Sequence, residues 1–153
     1  MAATYVGIVE YGGGPFRPAN SILLVSNDPE PGECIDGGFT QFHSLAQPGE
    51  MPQELSSYTS DGEFVGIMQE VNAAIQRLYD RTKCTCIPSV ILWPTTIGPC
   101  LLFGCLHLVN RPKCRREIEG AFKPLASKGI TVKVYFGTKG LPNKIQINLP
   151  RTA

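Results

Sequence analysis

The chain has 153 residues, enough for one folded unit with a sizeable core and too few for two comfortable ones. Fourteen Lys and Arg against thirteen Asp and Glu leave a formal net charge of +1, so no global field draws the chain to nucleic acid, and no nucleic-acid partner is assigned. Local placement matters more: Arg77, Arg81, Lys83, Arg111, Lys113, Arg115 and Arg116 bracket one long uncharged stretch, while most of the acids precede it.

The opening Met1-Ala2-Ala3-Thr4-Tyr5 has no basic region followed by an apolar run, so a secretory signal is not expected and the cysteines are expected to meet a reducing cytosol. Position 2 is not glycine and the closing Pro150-Arg151-Thr152-Ala153 carries no prenylation cysteine, so any lipid is expected at an internal position. Residues 1–50 show short strand patterns, Thr4 to Glu10, Ile22 to Ser26 and Gly38 to Phe42. They are broken by Gly12-Gly13-Gly14-Pro15 and Asp28-Pro29-Glu30-Pro31-Gly32, which suggests an irregular β-rich segment set apart from residues 51–150. From Phe64 the apolar residues recur as Phe64, Ile67, Met68, Val71, Ile75 and Leu78, a helical spacing. Ser60 and Glu63 are placed to form a capping box ahead of it. This stripe is read as a face packed on the terminal hairpin.

Residues 87–109 then run for twenty-three positions with no Asp, Glu, Lys or Arg. A bilayer-spanning helix needs about 20. Pro88, Pro94, Gly98, Pro99 and Gly104 interrupt the stretch, and Gly98-Pro99 near its centre predicts a bend between two short apolar helices. Each arm is too short to cross alone, which predicts a shallow hairpin against a membrane, its basic flanks on one side facing anionic headgroups. Ile91, Leu92 and Trp93 on one arm and Leu101, Leu102 and Phe103 on the other are the candidate membrane or partner contacts. Arg111, Lys113, Arg115 and Arg116 are the candidate headgroup contacts, because cations at a helix start oppose its dipole and favour an anionic partner.

Past Asn110, Pro112 opens a second amphipathic helix with Ile118, Ala121, Phe122 and Leu125 on one face, shortened or kinked by Pro124 and ended near Gly129. Ile130, Val132, Val134 and Phe136 alternate, as do Ile145, Ile147 and Leu149 after the Gly-Leu-Pro-Asn turn, which predicts a closing hairpin. The fold class expected is α+β: a small sheet with two amphipathic helices flanking an apolar, Pro/Gly-broken, membrane-associated helical hairpin.

No catalytic constellation stands out. There is no nucleophile elbow, no phosphate-cradling Gly-x-x-x-x-Gly-Lys loop and no paired-histidine metal motif. Gly12-Gly13-Gly14 reads as a turn, and His43 and His107 read as surface or packed residues. No catalytic residue, metal or cofactor is assigned. Five of the six cysteines lie between Cys84 and Cys114, which is not how disulfides staple a whole domain. Free cysteine is often a small core residue. Cys84, Cys86 and Cys114, however, sit where the uncharged stretch meets its basic flanks, the expected place for S-palmitoylation. Cys84, Cys86, Cys100, Cys105 and His107 have zinc-compatible chemistry, but their spacing is not a standard zinc pattern, and lipidation ranks above it.

From Pro52 onward the chain resembles the family that joins Golgin subfamily A member 7, the accessory subunit of the yeast Ras palmitoyltransferase and the cysteine-rich hydrophobic domain proteins. The resemblance rests on a series: Pro52-Gln53-Glu54-Leu55, then Phe64 and Asn72, the cysteine-bearing apolar region, Cys114-Arg115-Arg116-Glu117-Ile118-Glu119, and Ile145-x-Ile147-x-Leu149-Pro150. It implies a palmitoylated peripheral protein on the cytoplasmic face of Golgi, endoplasmic reticulum or plasma membranes, with membrane lipids and a DHHC-type palmitoyltransferase as partners. No Asp-His-His-Cys sequence is present, so the implied role is accessory and not that of the acyltransferase itself. A trafficking adaptor without an acyltransferase partner is the second expectation, and an enzyme with a reactive cysteine the third.

Overall fold

The structure, a computed structural model, describes residues 9–11, 20–26, 40–92, 110–137 and 142–150, with 9–11 and 82–92 described through their backbone. The architecture is α+β. Strands β1 (Val9–Tyr11), β2 (Ser21–Val25), β3 (Thr131–Tyr135) and β4 (Lys144–Asn148) form one antiparallel sheet in the order β1-β2-β4-β3. Helices α1 (Asp61–Leu92), α2 (residues 110–121) and α3 (Lys123–Ala126) complete the body, with two 3-10 turns, Ser44–Ala46 and Gln53–Leu55, ahead of α1.

One face of the sheet carries the core. In register, Leu24, Ile145 and Val134 form one cross-strand row and Ile22, Ile147 and Val132 the next. The α1 stripe meets this core through Phe64, Ile67, Met68, Val71, Ala74, Ile75 and Leu78, all buried, as the helical period of the sequence predicts. Fully burying side chains of this kind contributes about 1.5 to 3 kcal/mol each. Ile118, Phe122, Leu125 and Ile130 close the cluster from the α2–α3 side.

The division expected at residue 50 does not separate two bodies. Strand β2 lies inside the sheet, bonded to β1 on one side and β4 on the other, and Phe42 and Leu45 are fully buried in the same core. Residues 40–42 of the expected Gly38 to Phe42 strand are not in a strand, and 38–39 lie outside the described residues. The segment is held by side chains instead. Asn72 of α1 accepts the Phe42 amide at 2.7 Å, and Thr40, Ser26 and Asn143 form a buried polar knot. Asn143 is 2% exposed. Its amide nitrogen donates to the Thr40 carbonyl at 2.9 Å, its backbone N–H donates to Thr40 Oγ1 at 3.1 Å, and its Oδ1 accepts the Gly137 amide at 2.9 Å. Satisfied in this way, a buried amide avoids the desolvation cost of unpaired polar groups.

The start of α1 realises half of the predicted capping box. Ser60 Oγ accepts the Glu63 amide at 3.3 Å, but the Glu63 carboxylate takes the hydroxyl of Thr59 at 2.8 Å. Asp61 accepts the Gly49 amide at 2.9 and 3.1 Å, tying the preceding loop to the helix start. The second amphipathic helix is interrupted at Phe122 (φ −87, ψ 3), two residues before Pro124. A proline there has no amide to bond the carbonyl four residues back, so the chain restarts as the short α3. It ends on Gly129 (φ 81), where the Gly129 amide donates to Ala126 O at 3.1 Å and the Ile130 amide to Leu125 O at 3.3 Å. This is the paired bonding of a Schellman motif, with buried Ile130 and Leu125 as its apolar contact.

Candidate membrane and partner interface

The two ends of the uncharged stretch enter and leave the α+β body at α1 and α2. The sequence suggested that the amphipathic helix and the first apolar arm are separate. They are one helix: α1 continues for 32 residues through Cys84, Cys86 and Pro88 to Leu92. Pro88 leaves the Cys84 carbonyl without its intrahelical donor, but the helical path is kept. Ile91 and Leu92 thus belong to the last turn of the core helix. Trp93, Leu101, Leu102 and Phe103, with the expected bend and second arm, lie outside the described residues. Among the described residues no helix is long and apolar enough to cross a membrane, and no group of three His, Cys, Asp or Glu is placed to hold a metal.

Of the three cysteines expected to be lipidated, Cys84 and Cys86 lie on the last three turns of α1. Cys114 is different. It is 0% exposed, and its thiol donates to the Ala74 carbonyl at 3.5 Å. Burial pushes this thiol up to about 12, the Glu117 carboxylate adds to the shift, and Arg77 and Arg81 oppose it. A buried, protonated thiol presents neither thiolate nor access to an acyl donor. Cys114 is therefore corrected from a lipidation candidate to a core residue. The missed signal is helical spacing: Cys114 and Ile118, on the buried face of α2, and Phe122 just past its end recur every four residues.

Six of the seven flanking cations, all but Lys83, divide into two groups. Arg77 and Arg81 bridge α1 and α2 while remaining partly exposed. Glu117 accepts Arg77 Nε at 3.0 Å and Arg81 Nη1 at 3.2 Å, and Arg77 also pairs with Glu70 at 3.0 Å. Burial raises the Glu117 carboxyl, but the hydrogen bonds and charges of the two arginines outweigh it and hold the group below the usual carboxylate range. The hydrogen bonds that Arg77 donates to Glu70 and Glu117 hold its guanidinium above its ordinary value. This clasp joins α1 to α2, a role the sequence did not reveal because Arg77 and Glu117 are 40 positions apart.

The second group lies on α2. Lys113, Arg115 and Arg116 are exposed, and Arg111 is half-buried, donating to the Gly137 carbonyl at 3.1 Å. The guanidinium carbons of Arg111 and Arg115 stand 5.9 and 6.0 Å from the centre of the Phe136 ring, within cation–π range. Phe136 is itself packed against the core, so it gives both guanidinium groups a fixed platform.

The residues on which the expected resemblance rests are spread over the fold. Leu55 is buried beneath the second 3-10 turn, Phe64 is in the core, Asn72 holds Phe42, and Ile145 and Ile147 are central in the sheet. No family model, curated protein or solved structure matches the chain.

Proposed function

We propose that the chain is a non-catalytic accessory subunit of a DHHC-type protein S-palmitoyltransferase, stabilising that enzyme at the cytoplasmic face of a Golgi or endoplasmic reticulum membrane. The observation that carries this reading is the continuity of α1. Its first half is fixed in the core from Phe64 to Leu78, and the same helix proceeds without a break into the uncharged stretch at Ile87–Leu92. An apolar segment rigidly joined to a folded body suits a protein that holds a membrane-embedded partner in place. The stretch 87–109 lies against lipid or against the enzyme, and Cys84 and Cys86 carry the acyl chains. One acyl chain gives only marginal membrane binding, so the chains and the apolar segment act together.

Co-expression with candidate acyltransferases tests the reading. The enzyme's abundance and autoacylation should rise with this chain. Replacing Leu101, Leu102 and Phe103 with Ser should abolish the gain while the α+β body stays folded. No effect on any acyltransferase would refute the accessory role and leave a lipid-anchored trafficking adaptor as the better account.

A further inference from the structure

On the footing of that membrane-bound reading, we infer that Lys113, Arg115 and Arg116, with Arg115 steadied on Phe136, form a surface that binds the phosphate-bearing headgroups of anionic lipids. Three observations converge. First, the cations near the uncharged stretch are not equivalent: Arg77 and Arg81 are engaged by Glu117, whereas Lys113, Arg115 and Arg116 are exposed and pair with no acid among the described residues. Glu117, the acid nearest in sequence, points its carboxylate to α1 and so does not neutralise them. Second, stacking on Phe136 restrains the Arg115 guanidinium while leaving the residue exposed. A pre-oriented planar fork loses less freedom when it takes up a phosphate, the anion whose geometry it matches. Third, α2 follows directly on residues 87–109, which hold no Asp, Glu, Lys or Arg. When that stretch lies in an apolar layer, the first turns of α2 stand at the level of the headgroups. An acidic peptide would not require that adjacency, and the near-zero net charge supplies no general attraction for polyanions.

Flotation of the full chain with phosphatidylcholine vesicles, with and without phosphatidylserine, measures the surface. Phosphatidylserine should strengthen binding, and added salt should weaken that increment. The triple variant Lys113→Gln, Arg115→Gln, Arg116→Gln should lose the increment, on the order of a hundredfold for three surface charges. A control with Lys123→Gln, Lys133→Gln and Lys144→Gln removes the same charge elsewhere and should retain it, with melting curves verifying that both variants fold. Equal binding to neutral and anionic vesicles, or equal losses in the two variants, would overturn the inference. So would displacement by polyglutamate as effective as by phosphatidylserine vesicles, which would mark a general polyanion site. None of these outcomes touches the accessory role, which fails separately if the acyltransferase gains nothing from co-expression while vesicle binding is intact.

Discussion

Cys114 and Glu117 are three residues apart on one helix and answer to opposite ends of the pH scale. The folded carboxyl of Glu117 titrates below its unfolded value of about 4.3. Its contribution to stability is therefore complete above that value and is lost as the pH falls through the lower folded one. Urea denaturation of Glu117→Gln should show a smaller loss between neutral and acid pH than the parent chain. The Cys114 thiol titrates at about 12 when folded, above its unfolded value of about 8.5. Its contribution is complete below about pH 8.5 and declines as the pH rises towards 12. Cys114→Ala should flatten that alkaline decline, while costing about 1 kcal/mol at neutral pH through lost packing. Thiol labelling gives a direct check. Cys114 should react with a maleimide only at the rate of unfolding, and hydroxylamine-sensitive acylation should survive Cys114→Ala but fall in Cys84→Ser with Cys86→Ser.

At the scale of elements, local chemistry made the helices legible and left their joints hidden. The α1 stripe, the Ser60 cap, the break before Pro124 and the stop at Gly129 follow from spacing, capping and backbone freedom within a few residues. Gly129→Ala places a side chain at a positive φ with no steric conflict from Pro150 Cβ, which would lie at 3.5 Å, so backbone strain of about 1 kcal/mol should be the whole effect. A chemical denaturation midpoint measures it. The Asn72 contact is non-local, 30 positions from Phe42, and nothing in the helical pattern marks it. Asn72→Ala leaves the Phe42 amide without its acceptor and should cost about 1 to 3 kcal/mol. Hydrogen exchange should locate that loss at residues 40–46. The uncharged stretch was legible as composition, but not that its first residues continue α1, because Pro88 marks an interruption in the sequence. Helix already under way at Phe64 carries through it.

For the whole molecule, the sheet order β1-β2-β4-β3 explains why the N-terminal part was undervalued. β3 and β4 are neighbours in sequence and could be predicted as a hairpin. β2 pairs with β4 across more than a hundred positions, as Leu24 opposite Ile145 does, and no periodicity announces such a partner. Deleting residues 1–26 removes an interior strand and two fully buried core residues, Ile22 and Leu24. It should abolish cooperative unfolding rather than trim a dispensable segment. Circular dichroism melting of a chain beginning at residue 51 checks the same point, and a cooperative transition there would refute it.

The continuity of α1 also makes the molecule a ruler. From Leu78, a buried core residue, to Leu92, the helix advances about 21 Å at 1.5 Å per residue. The distance from the body to Leu92 is set by the helix itself rather than by a partner. Adding a turn's worth of residues after Asp80 would lengthen that reach by about 5 to 6 Å and turn the far end only slightly about its axis, leaving the folded body where it was.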